Sequence, residues 1–244
     1  MRALNKINKN GFTLVELAIV LVIIGVLLGS FIGSLASRIE KTQYDETRKE
    51  LNDIKAALIA YAFTFGVLPC PDDPTDIDSD GLSDGNGEKE PACTGAGESG
   101  SLPWVTLGMG ATDSWGNRYE YWAKSNFSNT ASPFDLATSA NGKIRTRSND
   151  GTSTPLLANN IVAVIYSRGK NGLGAVGSDS AFKSAVPLTG HTDEKENEDG
   201  DKFFVSRSPT YGDDTTALEA FDDIVIWISE YELKAKMVET GKLP

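Results

Sequence analysis

The 244-residue chain is acidic, with a formal net charge of −11, and it carries one histidine and two cysteines. That charge argues against nucleic-acid binding through phosphates. The one histidine, His191 in the polar stretch TGHTDE, leaves little from which to build a histidine-based hydrolase, so the chain reads as a non-enzyme.

The first ten residues, MRALNKINKN, are polar and basic through Arg2, Lys6 and Lys9; without them the formal charge falls from −11 to −14. An apolar run follows from Gly11, and from Leu17 to Ala36 it contains no charge. About 20 such residues in a helix span a bilayer core, and the basic flank predicts that the N-terminus stays in the cytoplasm while the remainder is exported. Glu16 sits inside this run. A carboxylate at bilayer depth costs at least ~2.5 kcal/mol on the mildest insertion scales, so it needs a partner. Secretory cleavage after Ser34-Leu35-Ala36 is one processing pattern the residues allow, but it leaves Glu16 unexplained. Gly25, Gly29 and Gly33, four residues apart, suit close helix packing in lipid and also match the ordinary frequency of glycine in membrane helices.

Beyond the apolar run, Tyr44, Thr47, Leu51, Ile54, Leu58, Tyr61 and Phe65 alternate spacings of three and four. They form one stripe of a continuing helix that Gly66 and Pro69 terminate. Cys70 and Cys93 flank a segment rich in Pro, Gly and Asp, and in an oxidising compartment such a pair forms a disulfide. Inside it, Asp76, Asp78, Asp80, Gly81 and Asp84 take positions one, three, five, six and nine of an EF-hand-like calcium loop. Gly87 holds position twelve, with Glu88 one residue late, so the segment reads either as an incomplete calcium loop or as a solvated acidic turn. Four short segments carry β-branched and aromatic residues: 118–122, 161–167, 203–206 and 223–229. An antiparallel sheet that receives the helix stripe is the predicted arrangement. Ser229 and Glu232 form a capping box that opens a C-terminal helix over about 230–240.

The stretch KNGFTLVELAIVLVIIGVLLG resembles the type IV prepilin signature: a basic leader ending in Gly, an aromatic residue, then an apolar helix with Glu five residues in. The resemblance implies cleavage between Gly11 and Phe12 by a prepilin peptidase and methylation of Phe12. It also gives Glu16 a partner, the Phe12 ammonium of a neighbouring subunit. A second resemblance lies in DSWGNRYEY (113–121), YSRGKNGLGA (166–175) and DIVIW (223–227), which are similar in order and wording to the major pseudopilin of type II secretion systems. It carries over onto Asp113, Trp115, Gly116, Asn117, Ser167, Gly169 and Asp223, and implies calcium in the loop between the last two motifs. Asp223 is the ligand placed there, with Asp179, Asp199 and Asp201 as looser candidates. This chain inserts a long segment in that loop, including DEKENEDGD (193–201).

Together these readings predict an α+β pilin fold: a long N-terminal helix, transmembrane then amphipathic, packed on a small antiparallel β-sheet. The expected organisation is a leader over 1–11, a membrane part over 12–36, an amphipathic part over 37–66 and a head over 67–244. The expected function is that of a minor pilin or pseudopilin of the inner membrane, with a periplasmic head. Its expected partners are other pilin subunits, the prepilin peptidase, the assembly platform and the membrane. A membrane-anchored calcium-binding adhesin that forms no filament is the alternative.

Overall fold

The computed structural model describes residues 13–73, 87–89, 93, 98–147, 156–187, 189–210 and 219–243, with backbone alone for 28–36. The candidate ligands Asp76, Asp78, Asp80 and Asp84, and the predicted cleavage site Gly11–Phe12, lie outside the described residues. Helix α1 runs from Leu14 to Phe65, and the chain divides into two compact units between Gln43 and Tyr44.

The first unit contains the N-terminal part of α1. Thr13 caps the helix: its Oγ1 accepts from the Glu16 amide at 3.2 Å, and Glu16 Oε2 accepts from the Thr13 amide and hydroxyl at 3.1 and 3.0 Å. This reciprocal capping box satisfies N–H groups that the first helical turn leaves without partners. The apolar side chains of residues 14–27 all face outward; Leu14 is 88 % exposed and Val26 69 %. Among the described residues no helix is long and apolar enough to cross a membrane.

The second unit begins with the C-terminal part of α1. Thr47, Leu51, Ile54, Leu58 and Ala62 are buried along one face. The stripe therefore turns onto Ala62 at its end. Phe65 is 60 % exposed and stacks at 4.3 Å on Tyr61, which is half-buried. Gly66, at φ +79°, ends the helix in the left-handed conformation and donates to the Ala62 carbonyl.

Strands β1 (Ser99–Ser101), β2 (Glu120–Ala123), β3 (Gly142–Arg145), β4 (Leu156–Ser167), β5 (Phe203–Val205) and β6 (Ile224–Ser229) form one sheet. Short helices α2 (Trp104–Leu107), α3 (Ser125–Ser128) and α4 (Thr192–Glu198) lie between them, and α5 (Glu230–Glu239) follows. The long β4 is the centre. Its residue Val164 pairs with Trp122 of β2 and with Trp227 of β6, which places β2 and β6 on opposite edges. The predicted antiparallel sheet is in fact mixed, because β5 runs parallel to β3. Parallel neighbours need a crossover, and the chain between them, through β4 and α4, supplies it.

Period-two alternation splits the strands between two cores. Tyr121, Ala123, Ala163, Ile165, Ile224 and Ile228 join Leu51, Ile54 and Leu58 of α1. Trp122, Val164, Tyr166, Val225 and Phe204 form a second cluster on the opposite face. Here α4 arrives, since the Tyr166 hydroxyl donates to the Asn197 carbonyl at 2.8 Å. The Asn197 side chain also accepts from the Val205 amide and donates to its carbonyl, at 2.7 and 3.2 Å, and so closes the outer edge of β5. At the C-terminus Ser229 Oγ accepts from the Glu232 amide, as the capping box predicts, and Lys55 of α1 pairs with Glu232 at 2.7 Å. Cys70 and Cys93 are disulfide-bonded, with Cα atoms 5.4 Å apart.

Candidate metal site and N-terminal motif

The turn that precedes β2 and the end of β4 are tied by one carboxylate. Asp113 is buried; its Oδ1 accepts from the amides of Trp115 and Asn117, and its Oδ2 from Ser167 Oγ at 2.6 Å and Asn117 Nδ2 at 3.1 Å. Asn117 Nδ2 also donates to the Gly169 carbonyl at 2.7 Å, and Ser167 Oγ accepts from the Gly169 amide. Burial raises the Asp113 pKa against the opposing pull of these hydrogen bonds. The DSWGN and SRG motifs, far apart in sequence, thus meet in one knot.

Beside this knot the chain gathers three buried carboxylates. Glu194 of α4 and Asp222 and Asp223, just before β6, each bring an oxygen within 4.8 Å of the others. Glu194 Oε1 accepts from Asn171 Nδ2 at 2.8 Å and from the Asp222 amide at 3.1 Å, while Oε2 lies 2.8 Å from His191 Nδ1. Asp222 Oδ2 accepts from the Asn171 amide and Asp223 Oδ2 from Asn197 Nδ2. Asp222 Oδ1 and Asp223 Oδ1 are buried with no hydrogen-bond partner. The nearest guanidinium, Arg168, is matched to Glu120 by a bidentate pair at 2.8 and 2.7 Å and stands 4.0 Å from Asp223 Oδ2.

Three buried carboxylates, with the Arg168 guanidinium committed to Glu120, gather negative charge in a dry place. Burial, with Glu194's charge adding to it and the Asn171 amide opposing, pushes Asp222 up to about 7. Burial likewise holds Asp223 well above the usual carboxylate range, partly offset by Arg168 and Asn197. Gly169 is required here: it sits at φ +61°, and a Cβ would come within 2.3 Å of the Asp222 carbonyl.

The donor set fits a hard divalent cation. Oxygens on opposite sides of one calcium ion, at Ca–O distances of about 2.3–2.6 Å, lie about 4.6–5.2 Å apart, so three oxygens within 4.8 Å fall inside a single coordination sphere. The two orphaned oxygens are what such an ion would satisfy. Of the sequence-predicted ligands, the structure brings Asp223 into this cluster. Asp179, Asp199 and Asp201 are exposed and serve local turns, accepting from the amides of Ala181, Asp201 and Phe203. Glu194 and Asp222 are the members that sequence reasoning missed. Asp222 adjoins Asp223, but only the packing of α4 turns Glu194 inward. His191, the one histidine of the chain, stands against Glu194.

Residues 6–32 match the family model described as the prokaryotic N-terminal methylation motif. No curated protein and no solved structure matches the chain. The family match ends before the head. What the chain carries, over residues 6–32, is a prepilin-type N-terminal methylation signature.

Proposed function

We propose that the chain is a minor pilin or pseudopilin, a subunit that assembles through its N-terminal helix into a filament of the type IV pilus or type II secretion class. The methylation motif at residues 6–32 carries this reading. The outward-facing apolar side chains from Leu14 to Leu27 support it, since such a surface requires a cover: the inner membrane before assembly, the helices of neighbouring subunits after it. Its partners are then a prepilin peptidase, other pilins and an inner-membrane assembly platform, with the head in the periplasm. The disulfide loop, the insertion containing α4 and the added α5 make a bulky head, which suits a subunit present in few copies. The role is mechanical, with no substrate turnover. Intact mass of the membrane-extracted protein tests it: the expected N-terminus is Phe12 bearing one methyl group, and a start at Ser37 would overturn the filament reading.

Within this reading the head holds calcium through Glu194, Asp222 and Asp223, and the ion offsets the burial that otherwise favours the protonated forms of Asp222 and Asp223. The support is the pair of buried, unpartnered oxygens. Calorimetric titration of the full chain with calcium, extended to millimolar metal because extracellular sites bind at about 10⁻⁴–10⁻³ M, should show one site that Asp223→Ala removes. Unaltered binding in that variant would place the metal elsewhere.

A further inference from the structure

The hairpin that follows β4 brings a lysine amine against a buried side-chain amide. Its first arm is fixed to the DSWGN turn by backbone: the Arg118 amide donates to the Val176 carbonyl at 2.8 Å, and Asn117 bridges to Gly177. Its second arm returns with the Lys183 amide donating to the Ala175 carbonyl at 2.8 Å. Lys183, itself exposed, then reaches back so that Nζ hydrogen-bonds Asn117 Oδ1. Gly172 clears the route: at φ +60°, a Cβ there would come within 2.9 Å of Asn117 Oδ1 and 3.4 Å of Lys183 Cδ.

Asn117 is fully buried, and every polar atom of its amide is engaged. Nδ2 donates to Asp113 Oδ2 and to the Gly169 carbonyl, while Oδ1 accepts from Lys183 Nζ, which brings the amine beside the amide group. A nucleophile, an acyl carbon and a carboxyl group that can carry protons to the departing nitrogen are therefore held together by the fold. Such orientation replaces a bimolecular encounter and is worth effective molarities of about 10⁵–10⁸ M in well-aligned cases.

The geometry points to an intramolecular isopeptide bond between Lys183 Nζ and Asn117 Cγ, with Asp113 as the acid–base group. Lys183 loses one proton to solvent, and the neutral amine attacks Cγ. The tetrahedral adduct passes its Nζ proton to the Asp113 carboxyl, which delivers one to Nδ2. The Cγ–Nδ2 bond breaks and ammonia departs, taking up the proton first released to solvent. No oxidant or cofactor enters. Because the step turns over once and ammonia leaves for good, even a slow reaction goes to completion. The cross-link would clamp the hairpin, across 66 residues of sequence, to the strand that carries the DSWGN turn. It is independent of the filament and calcium readings.

Intact mass spectrometry of the full chain, after reduction of the disulfide, decides the matter. Relative to the mass of its sequence from the N-terminus found, with any N-methyl group counted, the protein should be lighter by one ammonia, about 17 Da. A protease digest should contain a branched peptide joining Lys183 to Asn117. Lys183→Arg, which keeps the cation on an exposed side chain, should restore the full mass. Asp113→Asn should slow or abolish the loss in protein that circular dichroism shows to be folded; full cross-linking there would remove Asp113 from the mechanism. Wild-type protein at its full sequence mass, or a 17 Da loss mapped to any other residue pair, overturns the proposal and leaves the contact a hydrogen bond.

Discussion

Replacing Asp222 by Asn should change stability in opposite directions with and without calcium. The isosteric amide keeps the side chain's size and removes its charge. In metal-free protein the folded state holds the Asp222 proton up to about pH 7, against an ordinary carboxyl value of 3.8. Between those values the folded state binds more protons than the unfolded one, so stability falls as pH rises through the window and levels off above it. A shift of about 3 units, at 1.36 kcal/mol per unit, puts the penalty at pH 8 near 4 kcal/mol as an upper figure. Asp222→Asn lacks this penalty. In chelator at pH 8 the variant should melt above the wild type, by about 2–4 °C for each kcal/mol recovered in a domain of this size. In calcium at a hundredfold excess over Kd the wild type gains about 2.7 kcal/mol by linkage, and the variant, having lost a ligand, gains less. The assay is thermal unfolding of the detergent-solubilised chain, disulfide intact, at pH 5, 6.5 and 8 in chelator and in calcium. Equal destabilisation by Asp222→Asn in both conditions would refute the reasoning, because it would mean that the carboxylate serves packing and hydrogen bonding rather than a cation.

Glu16 has two separable roles, and two variants divide them. Glu16→Gln keeps an oxygen to accept from Thr13 but has no charge, whereas Glu16→Leu loses both; if pairing with a neighbour's Phe12 ammonium drives assembly, both should enter the membrane and neither should enter filaments at the normal rate, and a Gln variant that assembles fully would reduce Glu16 to a cap. Gly169→Ala should lower stability and calcium affinity together, since its Cβ would collide with the Asp222 backbone; calorimetry and melting on one sample check this, and an unchanged affinity would argue against the site. Cys70→Ser should cost about 3 kcal/mol in denaturant unfolding, from the chain entropy of a loop with sequence separation 23.

Local signals in the sequence determined much of this protein. The stripe from Thr47 to Leu58, the stop at Gly66, the disulfide, the strands at 161–167 and 224–229 and the Ser229 cap each follow from spacing or residue type acting over a few positions. Thr13 and Glu16 also fit a capping-box spacing, yet the surrounding apolar run directs attention to the charge and away from the cap. Strands β1 and β3, of three and four residues, are too short to show an alternating pattern. The parallel placement of β5 on β3 depends on how an insertion with α4 travels back across the sheet, which no local pattern encodes. The cluster of buried carboxylates is the clearest case. Asp223 could be named from its motif, but its companions come from the preceding residue and from a helix 29 positions earlier. An acidic run such as DEKENEDGD looks solvated throughout. Burial of Glu194 against Asn171 and the Asp222 amide, while Asp199 and Asp201 stay exposed, is set by which face of α4 the second core of the sheet takes up.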